Sequence, residues 1–359
     1  MWEEIEPARI ANIECMKESF EKSRLGGRKV SMSSEGAEFP QKNQKAIVLN
    51  ALETRAKYPE VVQMLQDMLD GINFDTVADI FREFGVRSGV EEKSLNFIPK
   101  EQIYIIEDAT GALMSYFPDV NRITINALSF ASKPEWDVRD KTLVDVVFTH
   151  ALFHEYTHAT GLVDCVGESV PFASAGSNVS RQRVGFDDMS LDMPAGPNSD
   201  IQERGHTLYK LLNEGITERV ADEVLLEYVR RVSDEEYIDF EAKENLAKVF
   251  VGMDNNLNSL YATAKRFVGV LTQHIAEESG VPEEVVWRAM IRQYYSGELK
   301  TEEVTRLLSE FFGSGFTEAL AQSKSAVDLM NLLDSSKKQD QYAESVSRWL
   351  EYLKLTRNL

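Results

Sequence analysis

The stretch from Val144 to Phe153 is apolar nearly all round, and it runs straight into His154-Glu155-Tyr156-Thr157-His158. Val144, Val146, Val147, Phe148, Ala151, Leu152 and Phe153 leave no broad polar face, the mark of a helix buried on every side. Two imidazoles and a carboxylate at the end of such a helix are costly unless they are paired or hold an ion. Histidines four residues apart stack one turn above each other, about 6 Å along the axis. At that spacing both rings can converge on one zinc ion, with Zn–N bonds of about 2.0–2.1 Å. The glutamate between them projects beside the ion, where it can take a proton from a water that the ion activates. A solvated helix with scattered polar residues would not carry this apolar flank.

The rest of the chain bounds what such a site can belong to. At 359 residues it makes one large or two modest domains with a sizeable core. Its 59 acidic residues against 39 basic ones give a net charge of −20, a field that repels phosphate backbones and argues against nucleic acid as a partner. Cys15 and Cys165 provide neither a disulfide framework nor a thiolate metal site. No basic-then-apolar leader and no membrane-length apolar run is visible, so a soluble, cytoplasmic protein is the default expectation, with signal-less export left open.

In chain order, residues 2–24 read as an amphipathic helix on Ile5, Ile10, Ile13, Met16 and Phe20. A polar linker over 31–43 follows, then helical periodicity over 44–71, broken before Pro59, and a short helix over 74–84. Strands are expected at 102–106, 111–117 and 122–126. The helix over 142–160 is capped by Asp140 or Thr142 and stopped by Gly161. Residues 165–205 are rich in Gly, Ser, Pro and Asp and read as a cleft loop, with a short strand at 183–186. A second buried helix runs over 206–230, beginning at His206. Beyond it only helices are expected, at 256–278, 283–295, 301–312, 315–333 and 339–356, separated by Gly280-Val281-Pro282, Ser296-Gly297 and Gly313-Ser314-Gly315. The division is a helical region over 1–95, a core over 96–234 with its sheet at 101–130, and a helical subdomain over 235–359. The fold class is α+β, mostly helical, with a small mixed or antiparallel sheet.

A catalytic zinc takes three protein ligands and keeps one position open. Glu214 is the choice for the third, because it sits on the second buried helix among Leu211, Leu212, Ile216, Val220 and Ala221. Glu218, one turn on, is placed to accept the free N–H of a liganding histidine. His150 is about 12 Å along the axis from His158, too far for all three histidines to share one ion, and reads as a packed or supporting group.

His-Glu-Tyr-Thr-His followed by Asn213-Glu214-Gly215-Ile216-Thr217-Glu218 resembles the gluzincin branch of the zincin-like metallopeptidases. The resemblance covers roughly residues 101–230. It implies a zinc-dependent peptidase with one zinc per chain, His154, His158 and Glu214 as ligands, Glu155 as general base, and a peptide or protein as substrate. It also implies that an edge strand, here Arg122 to Asn126, binds the substrate in extended form. A Tyr or His from the downstream helices would stabilise the oxyanion; Tyr261 is preferred over His274, Tyr294 and Tyr295. Two rivals remain open. His154 to Asp164 also resembles the metzincin pattern, snapalysin-like, with Asp164 as third ligand and Met189 or Met193 in a methionine turn. A zincin scaffold that binds a protein partner without hydrolysis is the other.

Overall fold

Proline opens a helix readily and cannot continue one, and the first helical stretch is divided accordingly. The computed structural model of the chain describes residues 29–32, 38–118, 120–131, 141–169, 178–193, 206–232, 260–297 and 312–323, with isolated positions between 244 and 251, between 305 and 309, and at 299, 328 and 332. Helix α1 (Glu38–Lys57) ends at Tyr58, and α2 (Pro59–Asp70) begins on Pro59. Helix α3 (Phe74–Arg87) starts at Asn73, whose side-chain oxygen accepts the Thr76 N–H at 3.0 Å, a cap worth about 1 kcal/mol. The helix expected over 2–24 lies outside the described residues.

The smaller sheet joins β2 (Ile103–Ile106), β3 (Met114–Phe117) and β4 (Arg122–Asn126) in the order β2-β4-β3. β2 runs parallel to β4 and β3 antiparallel to it, so the sheet is mixed. Here the strand expected at the substrate edge must be corrected: Arg122–Asn126 is the central strand, and every residue of it is buried. Ile123 and Ile125 fill the core, while the Asn126 amide donates to the backbone oxygens of Asp108 and Ala112 at 2.8 and 2.9 Å. Period-two alternation marks a strand's faces and says nothing of how many neighbours it pairs with. The antiparallel edge strand is β3.

A second sheet was not foreseen. It runs β1 (Lys29–Met32), β5 (Val163–Ser169), β6 (Asn178–Val184), β7 (Asp187–Met193) and β8 (His206–Leu208), with β1 parallel to β5 and the remaining pairs antiparallel. The segment 165–205, read as a loop from its composition, is therefore largely strand where it is described. Ladder hydrogen bonds join backbone groups and tolerate a polar sequence, and Gly185, at φ 57°, turns β6 into β7.

Further helices complete the frame of the site. Helix α4 (Ala127–Ala131) is short, and α5 (Lys141–Thr160) carries the His-Glu-Tyr-Thr-His segment. Thr142 is already helical, and Asp140 lies outside the described residues. Helix α6 (Lys210–Val232) starts later than expected, because His206 belongs to β8 and Tyr209, at φ 59°, turns the chain between them. Helices α7 (Leu260–Ser279) and α8 (Glu283–Ser296) are separated at Gly280, and Gly297 in the left-handed region at φ 56° closes α8. Helix α9 (Ser314–Gln322) is shorter than the expected 315–333; a helix over 301–312 is described only at scattered positions, and 339–356 lies outside the described residues.

One buried cluster joins Leu65 and Phe81 from the first helices, Ile125 from the sheet, Phe153 and Leu225 from α5 and α6, and Phe267 and Trp287 from α7 and α8. The Phe81 ring stands 5.3 Å from that of Tyr156 and 6.5 Å from that of Phe153. Helix α5 is thus enclosed by the sheet, α3 and α6, which is the physical reason it is apolar all round. Among the described residues no helix is long and apolar enough to cross a membrane.

Candidate metal centre

His150, His154 and His158 recur every fourth residue along α5, and Glu214, Glu218 and Asp222 recur every fourth residue along α6. Residues four apart share a helix face, so packing α5 on α6 meshes the two rows. His158 and His154 meet Glu214, His154 and His150 meet Glu218, and His150 meets Asp222.

The first step of this ladder has the geometry of a metal site. His154 Nε2 lies 3.2 Å from Glu214 Oε2 and 3.2 Å from His158 Nε2, and His158 Nε2 lies 3.5 Å from Glu214 Oε2. Two donors bound tetrahedrally to zinc at about 2.0–2.1 Å are separated by roughly 3.3–3.4 Å. The three atoms therefore already form a triangle of the right size, with two neutral-capable imidazoles and one carboxylate as the donor set. All three side chains are at most 12% exposed. The electrostatics favour a cation here. Burial pushes the Glu214 carboxyl up, but the His158 and His154 rings outweigh it and hold it well below the ordinary carboxylate range. Burial likewise disfavours charge on His154, yet Glu214 and Glu218 outweigh that and raise its pKa well above the ordinary value.

The other ring nitrogen of His154 is held by Glu218, whose Oε2 accepts from Nδ1 at 2.7 Å. A carboxylate accepts only, so Nδ1 carries a proton, and Nε2 is turned toward Glu214. Glu155 projects from the same turn of α5. Burial raises its pKa against the opposing pull of the His154 and His158 rings and, more weakly, of the Tyr116 backbone of β3. This places the antiparallel edge strand directly beside the glutamate.

His150, Glu218 and Asp222 form a second group close enough to hold an ion, but its cation is built in. Lys265 of α7, only 6% exposed, sets its Nζ 2.7 Å from Asp222 Oδ2, and His150 Nε2 lies 3.1 Å from Asp222 Oδ1. Burial pushes the Glu218 carboxyl up, and His150, His154 and Lys265 together outweigh it, holding it down to about 2. Sequence reasoning missed Asp222 and Lys265. Asp222 was legible as the next fourth-residue step after Glu218; no local signal marked Lys265.

The aromatic candidates separate cleanly. The Tyr261 ring stands 5.3 Å from the His154 ring and is 46% exposed, on the open side of the cluster. The Tyr294 hydroxyl lies 3.3 Å from His158 Nδ1, behind the ring, and Tyr295 is buried with its ring 5.4 Å from that of Tyr294. His274 stacks on Phe312 at 5.8 Å. Asp164 stands on β5 in register with Lys29 and Arg183, Met189 lies within β7, and Met193 is the last residue of that strand. Comparison of the chain with protein-family models, curated proteins and solved structures found no match.

Proposed function

We propose that this chain is a zinc-dependent peptidase of the gluzincin kind. The observation that carries the reading is the triangle of His154 Nε2, His158 Nε2 and Glu214 Oε2, with edges of 3.2, 3.2 and 3.5 Å. His154, His158 and Glu214 would hold the ion. When bound, zinc supplies Lewis-acid polarisation of a carbonyl oxygen and lowers the pKa of a water to about 7.

The chain's own residues supply the rest. Glu155 accepts the proton of the attacking water and returns it to the leaving amine, so the peptide C–N bond is replaced by a C–O bond. Burial lifts the Glu155 pKa from that of an ordinary carboxylate, which strengthens it as a base; such assistance contributes about 10²–10⁴-fold. The Tyr116 backbone of β3 lies beside its carboxylate. An extended substrate paired along β3, rather than along β4, would run past Glu155. Tyr261 is the donor assigned to the developing oxyanion, on the strength of its position against His154 on the exposed side.

The test is metal analysis of the purified protein together with cleavage of a diverse peptide library by wild type and Glu155→Gln. About one zinc per chain, chelator-sensitive cleavage by wild type and near-complete loss in the variant with zinc retained are expected. Wild-type turnover by Glu155→Gln would overturn the mechanism, and zinc without cleavage of any peptide would leave a binding scaffold.

A further inference from the structure

Tyr294 enters the site from α8, 136 residues away in sequence from His158. Its ring is fully buried and seated between two glycines: a Cβ on Gly161 would come within 2.7 Å of the ring, and one on Gly185 within 2.6 Å. The backbone fastens the same place. Leu162 N–H donates to the Tyr294 carbonyl at 3.1 Å, and Gly185 N–H donates to the Leu162 carbonyl at 2.9 Å. The end of α5, the β6–β7 turn and α8 therefore close around one phenol.

The hydroxyl lies 3.3 Å from His158 Nδ1 and 3.0 Å from Thr217 Oγ1. One set of proton directions satisfies these contacts with His158 Nε2 left bare. In this set the single Thr217 proton goes to the Asn213 carbonyl at 2.9 Å. The Tyr294–Thr217 contact then has a proton in it only if Tyr294 is the donor. With its own proton spent, the Tyr294 oxygen accepts from His158, and Nδ1 carries the hydrogen. Thr217 Oγ1, at 3.4 Å, shares that hydrogen; a proton divided between two oxygens gives contacts longer than the roughly 2.9 Å of a single bond. The Asn213 amide nitrogen is a donor, but at 3.5 Å from Nδ1 it stands beyond ordinary bond length, and its oxygen already accepts the Phe186 N–H at 2.9 Å.

We propose that Tyr294 is a positioning residue of the metal centre, whose hydroxyl accepts the Nδ1–H of His158 and so keeps Nε2 bare and aimed at His154 and Glu214. The inference rests on the reading of those three residues as ligands. It makes the two histidines unequal: a carboxylate, Glu218, backs His154, whereas a neutral chain from Tyr294 through Thr217 to the Asn213 carbonyl backs His158. It also makes the C-terminal helices part of the centre, since α8 supplies the acceptor.

The test uses the full chain and the variants Tyr294→Phe, Thr217→Val and the double variant, with Tyr228→Phe as a control that removes a buried hydroxyl bonded elsewhere, to the Asn73 N–H. Zinc affinity is read by competition with a chelator, and the His158 tautomer by nitrogen NMR of the metal-free protein. Wild type should bind zinc and show His158 protonated on Nδ1. Tyr294→Phe should weaken zinc about 10-fold and the double variant about 100-fold, the span typical of groups that orient a ligand, with Tyr228→Phe unchanged. The wild-type tautomer needs no variant to fold, and a bare Nδ1 overturns the inference. So does wild-type zinc affinity in the double variant. Absence of zinc binding in wild type overturns the ligand reading itself, and this inference with it.

Discussion

Gly215 follows the proposed ligand Glu214 on α6, and a matched pair of glycine substitutions tests how closely α7 crosses there. A Cβ on Gly215 would lie 2.4 Å from the Ala264 carbonyl oxygen, 2.6 Å from its carbon and 2.8 Å from a Val268 methyl. The obstacle is mostly backbone, so the two helices must part by several tenths of an ångström. Overpacking of this kind costs about 1–3 kcal/mol, and a backbone obstacle puts it at the upper end. Alanine gains about 1 kcal/mol over glycine in a helix interior, which leaves Gly215→Ala destabilised by roughly 2 kcal/mol. Gly269, on α7 itself, meets nothing within 4 Å, so Gly269→Ala should show the propensity gain alone, about 0.5–1 kcal/mol of stabilisation. Urea unfolding of both variants reads the two signs. Zinc affinity should fall only in Gly215→Ala, where the shift moves Glu214. If Gly215→Ala is stabilised as much as Gly269→Ala, the close crossing does not exist and the argument fails.

Zinc titration of Glu214→Ala, Glu218→Ala and Asp164→Ala should give severe loss, a loss of about 10–100-fold and little change, in that order; loss in Asp164→Ala with retention in Glu214→Ala would favour the metzincin arrangement. Lys265→Met leaves Asp222 buried without its 2.7 Å partner, which should cost about 3–5 kcal/mol in urea unfolding, and a cost under about 1 kcal/mol would show that His150 alone balances Asp222. Arg230 and Arg231 hold the Glu227 pKa at about 2 against an ordinary 4.5. A depressed carboxylate stabilises the fold above the ordinary value and loses that contribution as pH falls toward the depressed one. Arg231→Ala, which also frees Glu83 of α3, should therefore flatten the stability-versus-pH curve between these two values, and an unchanged acid limb would contradict the assignment.

Much of the site is local and therefore legible. The relation of His154, Glu155 and His158 is fixed by the rise and turn of one helix, and the apolar flank of α5 records that it is enclosed by the sheet, α3 and α6. Pro59, Gly280, Pro282 and Gly297 mark helix ends because each restricts or permits particular backbone angles. The fourth-residue spacing of Glu214, Glu218 and Asp222 was equally visible, though only the first two were read as a row. Chain-order reasoning failed where pairing decides. The β2-β4-β3 order puts Arg122–Asn126 in the middle of its sheet, and the described residues of 165–193 form ladders from polar residues that no hydrophobic period announces.

What the sequence by itself determined is thus the set of groups each helix presents on one face: two imidazoles with a carboxylate between them, and a row of acids. Only the tertiary structure decided which row meets which, that β3 and not β4 stands beside Glu155, and that Lys265 and Tyr294 close the network from α7 and α8. The physical reason is one of range. Helical and strand periodicity is set by backbone geometry within a few residues, whereas Tyr294 reaches His158 across 136 positions. That meeting depends on how whole elements pack, and on two glycines whose missing side chains leave room for a ring.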